Sequence, residues 1–180
     1  MTRLVKSSPA FSYIFIIWAV FWIDVILPGI NFLGFGIHPR HISGLDGILW
    51  APFIHANLSH LISNTIPLLV LPAIGSLSMT NASLLKLMIF GGVGSGLGTW
   101  LFGSPAIVVG ASGVVFSLLG YLLARAFYAP SVKTITVSLL AIALYGGAVM
   151  SLLTVLPTVS WAAHFWGFVS GVVFASIHRR

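Results

Sequence analysis

Apolar runs separated by short polar, glycine- or proline-bearing stretches divide the chain into six long segments. They cover approximately residues 10–33, 58–77, 84–102, 112–128, 133–153 and 160–178. Each is near the length of about 20 residues that a helix needs to cross a bilayer. The pattern predicts an all-α membrane protein, a six-transmembrane-helix bundle forming one membrane domain over residues 1–180. Pro28 and Gly29 interrupt the first segment late, and Pro67 and Pro72 should kink or shorten the second. Asn57 or Ser59 is placed to cap that second segment. Residues 34–53 mix glycine, proline, histidine and Asp46 with Leu45, Ile48, Leu49, Trp50 and Phe53. That pattern suits a loop with short amphipathic pieces lying in the membrane interface.

Composition sharpens the class. Of 180 residues, 58% are hydrophobic and 6% charged, and the mean hydropathy is +1.10. So little charge does not cover the surface of a soluble domain, so lipid is the solvent for most of the chain. The absence of cysteine excludes disulfides and thiolate chemistry. Glutamate is absent too, which excludes a zinc protease of the His-Glu-x-x-His type. The only acids are Asp24, inside the first segment, and Asp46, in the loop. An acid in lipid is costly, so Asp24 should face the bundle or the interface. The net charge of +6 comes from scattered basic residues and implies no nucleic-acid partner. With six crossings, Arg3, Lys6, Lys86, Arg125, Lys133, Arg179 and Arg180 fall on one side and only Arg40 on the other. The positive-inside rule makes that side, with both termini, cytoplasmic.

Candidate chemistry gathers at the opposite face. Gly110-Ala111-Ser112-Gly113 opens the fourth segment. A helix start offers unpaired N–H groups to a developing oxyanion, and the flanking glycines keep side chains clear of the serine oxygen. His164 lies a few residues into the sixth segment, at a similar depth. Ala163, Gly167, Gly171 and Ala175 form a small stripe there, and Gly113, Ser117 and Gly120 a matching face on the fourth segment. If these faces meet, His164 comes within hydrogen-bond range of Ser112, the contact an activated serine requires. His60 and Asn64, four apart on one helical face, are candidate oxyanion donors. His55 precedes that helix and reads as a loop anchor. A metal site would need a third ligand, and the five-residue spacing of His55 and His60 suits a helix poorly, so no metal is expected. The run Gly91-Gly92-Val93-Gly94-Ser95-Gly96-Leu97-Gly98 lacks the Lys-Ser or Lys-Thr of a phosphate loop and points to close helix packing.

Taken together, Gly110-Ala111-Ser112-Gly113, the His55/His60/Asn64 pattern and the His164/Gly167/Gly171 pattern resemble the rhomboid family of intramembrane serine proteases over nearly the whole chain. The resemblance implies Ser112 as nucleophile, His164 as general base and acid, and His60, Asn64 and the Ser112 amide as oxyanion donors. His55, Gly110, Gly113, Phe116, Gly167 and Gly171 would support them. It implies single-span membrane proteins as substrates, no cofactor, and a multi-pass protein of a prokaryotic plasma membrane. Two departures stand out. Many bacterial members carry Tyr where this chain has Phe116, and their Trp-Arg pair in the first loop is not evident here. A non-catalytic relative that binds membrane clients is the alternative from another class. A small transporter would show paired charges or a repeat in its spans.

Overall fold

In the computed structural model the described residues are 8–27, 29–150, 152 and 160–178. Among them are seven α-helices: α1 (Pro9–Ile26), α2 (Gly47–Trp50), α3 (Leu58–Gly75), α4 (Asn81–Phe102), α5 (Ser112–Tyr128), α6 (Val132–Met150) and α7 (Trp161–Ile177). Among the described residues all regular structure is helical apart from an isolated antiparallel bridge between Ile37 and Val108. By length and composition α1, α3, α4 and α6 are apolar enough to cross a membrane. The two shorter apolar helices, α5 and α7, have 17 residues each. The basic residues Arg3, Lys6, Arg179 and Arg180, and the expected end of the fifth segment at Leu153, lie outside the described residues.

Two helices end earlier than the hydropathy pattern indicates, and a third is broken inside. The first helix stops at Ile26 instead of continuing to Leu33. Leu27 precedes Pro28, where the α conformation is disfavoured, and its backbone leaves the helix at φ −113°, ψ 67°. The apolar residues beyond it form a short 3₁₀ turn, Phe32–Phe35, instead. Helix α3 ends at Gly75 although the apolar run continues to Leu77. It accommodates Pro67 and Pro72 within its length. Helix α6 has a break at Tyr145, whose φ of −129° and ψ of 15° are not helical.

Helix α5 is the centre of the molecule: Gly113 through Leu122 are all buried. It packs most closely on α7. A Cβ on Gly167 would strike the backbone carbonyl of Gly113, one on Gly171 that of Ser117, and one on Gly120 that of Phe168. No side chain larger than hydrogen fits where two helix backbones approach this closely. Helix α4 closes the same core through its glycines. Gly91 faces Ser117, while Gly94 and Gly98 face Ser170 and Trp166 of α7. The Gly91–Gly98 run is therefore a packing surface. Ser95, within it, donates to the Ala163 carbonyl at 2.8 Å and adds a buried polar tie between α4 and α7.

The large apolar side chains that remain exposed lie chiefly on α1, α3, α4 and α6, including Phe15, Ile66, Ile89 and Leu139. The apolar exterior and polar-tied interior suit lipid as solvent.

Candidate active site

The helix that begins at Ser112 differs from its neighbours in its first turn. Asn57, Thr80 and Ser160 cap α3, α4 and α7 with side-chain oxygens that accept from His60, Ser83 and Ala163 amides. Helix α5 instead starts from Ala111, which supplies no side-chain cap. The first amides of α5, including that of Ser112, are therefore left for another acceptor.

The segment leading to Ser112 is tightly held. Gly110 donates its amide to the Ala51 carbonyl at 2.8 Å, and Ala111 donates to His55 Nε2 at 3.4 Å. Accepting at Nε2 places the proton of a neutral His55 ring on Nδ1. Burial, reinforced by His60 nearby, pushes the His55 imidazole down to about 4, against a smaller opposing effect of the Phe53 backbone. His55 is thus neutral at pH 7, as an acceptor must be. Its bond ties the loop before α3 to the start of α5 and occupies the Ala111 amide, which is thereby removed from the set of free donors.

Gly110 has φ +115°, a conformation costly for any residue with a side chain. A Cβ there would also sit 2.5 Å from Cε1 and Nε2 of His60. Glycine is required twice over, by the turn and by the approach of the His60 ring. His60 is stacked edge-on to His55, ring centroids 5.1 Å apart. Asn64, one turn further along α3, is buried and donates one amide hydrogen to the His60 carbonyl at 3.0 Å. Its amide has a second hydrogen.

Phe116, one turn after Ser112, lies flat against His164, with ring centroids 4.1 Å apart and planes inclined by 18°. His60, Asn64, Ser112, Phe116 and His164 all line one cavity of about 660 Å³. Among the described residues no hydrogen bond joins Ser112 to His164. The small faces do meet, so the two side chains share a cavity, but the expected contact is open. Contacts of this kind are commonly long in the absence of substrate and tighten in the complex.

Sequence reasoning missed Tyr145, which enters the same cavity from α6 at the helix break. Nothing local marks it, because only the packing of α6 against α3 and α5 turns that position inward. The clasp that holds the first loop was also missed: Arg40 donates to the Gly103 carbonyl at 2.6 Å, and Trp100 Nε1 donates to the His41 carbonyl at 2.9 Å. Among the described residues Arg40 is also the one non-glycine residue with positive φ, at 63°.

This arrangement has relatives. The Rhomboid domain family model matches residues 42–180. The chain belongs to the rhomboid family. It is 38% identical over 149 residues to uncharacterized proteins of Mycobacterium tuberculosis and Mycobacterium bovis, alignments that cover 78% of this chain and 62% of each relative. An uncharacterized protein of Mycobacterium leprae is 37% identical over 152 residues, covering 78% of this chain and 59% of the relative. The chain thus spans about three-fifths of the length of these curated relatives. As a rhomboid-family chain with several long apolar helices it is an integral membrane protein. The matched region contains α2 to α7 and every residue of the cavity named above.

Proposed function

We propose that this protein is an intramembrane serine endopeptidase that cleaves single-span membrane proteins with a Ser112–His164 dyad. The observation that carries the reading is the uncapped start of α5 at Ser112, opening on the cavity where Phe116 holds His164 by stacking. All six apolar helices, α1 and α3 to α7, are taken to cross the bilayer in one domain, residues 1–180. The termini then lie in the cytoplasm and the cavity opens toward the outer face of a prokaryotic plasma membrane. Asp24, near the end of α1, is at that outer side.

His164 takes the proton of the Ser112 hydroxyl as Oγ attacks the scissile carbonyl carbon. The carbonyl oxygen becomes an oxyanion and is stabilised by the Ser112 amide, the His60 ring and the free hydrogen of the Asn64 amide. The intermediate then collapses: the C–N bond breaks, and His164 delivers the proton to the leaving amine. Water, deprotonated by His164, attacks the resulting ester and releases the second fragment with Ser112 restored. The half-buried His164 sits between Phe116 and the cavity that Ser112 also lines, and the ring contact restricts its rotation. No cofactor or metal takes part.

A fluorophosphonate probe tests the nucleophile. It should form an adduct on Ser112 of the folded wild type and none on Ser112→Ala or His164→Ala. Labelling of Ser112→Ala at the same stoichiometry would show that another residue reacts. A chain that only bound membrane clients would show no labelling at all.

A further inference from the structure

A second cavity, about 550 Å³, lies at the other end of α5, between the turn joining α3 to α4 and the turn joining α5 to α6. It is about 20 Å from Ser112 along the helix, at ~1.5 Å per residue. Arg125 and Lys133 line it, with the hydroxyl-bearing residues Ser78, Thr80 and Ser131. The chain's two acids, Asp24 and Asp46, are not among its residues.

Arg125 is the unusual member. Its guanidinium carries a permanent charge, yet the residue is only 7% exposed. Nη1 donates to the His178 carbonyl at 2.7 Å, and the group lies 5.9 Å from the centre of the Tyr121 ring. Nε is buried with no hydrogen-bond partner, and among the described residues no carboxylate pairs with the charge. A buried charge with so few partners is costly, and an anion offsets that cost. A helix start borders the same space through Ser131, Lys133 and Thr134. Ser131 accepts from the amides of Thr134 and Ile135, which leaves the first two amides of α6, Val132 and Lys133, without a helix partner.

We propose that this cavity binds a phosphate-bearing anion through Arg125, Lys133 and the first amides of α6. Under the proposed topology it lies at the cytoplasmic membrane surface, where the phosphate is that of an anionic lipid headgroup or of a soluble ion. Planar guanidinium groups suit phosphate oxygens, and the flexible Lys133 ammonium adds a second charge at the rim. The site is independent of the dyad, and so is its test.

The experiment measures thermal stability and retained lipid, by native mass spectrometry, for the purified full chain in neutral detergent. The probes are dioleoylphosphatidylglycerol, dioleoylphosphatidylcholine and inorganic phosphate. The glycerol lipid should stay bound and raise the melting temperature, and the choline lipid should do neither. Lys133→Glu should weaken retention by about fivefold or more, since one basic group near a lipid surface counts for that much. Arg125→Gln, which keeps a donor for the His178 carbonyl, should do the same. Lys86→Glu, equally basic and exposed but outside the cavity, should bind as wild type. A matching rise with inorganic phosphate assigns the site to a soluble ion, and no rise with phosphate assigns it to the lipid. Wild-type retention in Lys133→Glu, or equal loss in Lys86→Glu, would overturn the proposal even if Arg125→Gln fails to fold.

Discussion

The rings of Phe116 and His164 are stacked 4.1 Å apart, so a side chain on α5 positions the imidazole on α7 that is proposed as the base. The contact needs the two helices at the separation set by Gly167 and Gly171, and it leaves the ring edge of His164 facing the cavity. An aromatic pair contributes about 0.5–1.5 kcal/mol beyond its buried area. Phe116→Leu should therefore lower turnover by about tenfold, since 1.4 kcal/mol is one decade in rate. Phe116→Tyr keeps the ring and should stay within about threefold of wild type. Steady-state kinetics on both variants, at matched folding, checks this.

The helix contact itself makes a sharper comparison. A Cβ at Gly167 meets the Gly113 backbone, while Gly147 in α6 has nothing within 4 Å of its Cβ position. Gly167→Ala should lower stability by roughly 1–3 kcal/mol through overpacking, and Gly167→Leu by more. Gly147→Ala, in a helix, should be neutral or stabilise by up to about 1 kcal/mol. Melting temperatures in one detergent separate the two. A larger loss at Gly147 than at Gly167 would mean the α5–α7 contact is misplaced.

His55 gives a pH prediction. Its folded imidazole is pushed down to about 4 from an ordinary value near 6.5. Its contribution is therefore fully present above pH 6.5 and is lost as pH falls through that window toward 4. His55→Gln keeps an acceptor for the Ala111 amide without titrating. Wild type should lose melting temperature between pH 6.5 and 4 more steeply than His55→Gln. Parallel curves would show that other groups carry the acid response.

Much of this was legible from local pattern. Helix α5 begins at Ser112 and ends at Tyr128, as the apolar run indicated, and the small stripes on α5 and α7 meet. Asn57, foreseen as a cap, accepts from the His60 amide at 2.9 Å. Helical period and residue size are local properties, and such features follow from them. The Arg40–Gly103 clasp, the Ile37–Val108 bridge and the Tyr145 break are different. They depend on which distant segments come together, and no spacing within either partner announces them. The end of α1 was misjudged because hydropathy continues past Leu27 while backbone geometry at the following proline does not.

The proposed oxyanion donors predict a partial loss. Asn64→Ala and His60→Ala should each cost about 10²–10³ in turnover, with apparent affinity little changed, because the nucleophile and base remain. Asn64 is buried and bonded to the His60 carbonyl, so thermal stability is measured alongside. Loss that follows unfolding alone would assign Asn64 to helix structure.

The most direct measurement is proteolysis by the purified protein in liposomes carrying a tagged single-span substrate. Wild type should release two fragments cut in or near the membrane segment. Ser112→Ala and His164→Ala, folded to the same melting temperature, should each fall by a factor on the order of 10⁴ or more. Cleavage by Ser112→Ala at the wild-type rate would contradict the account.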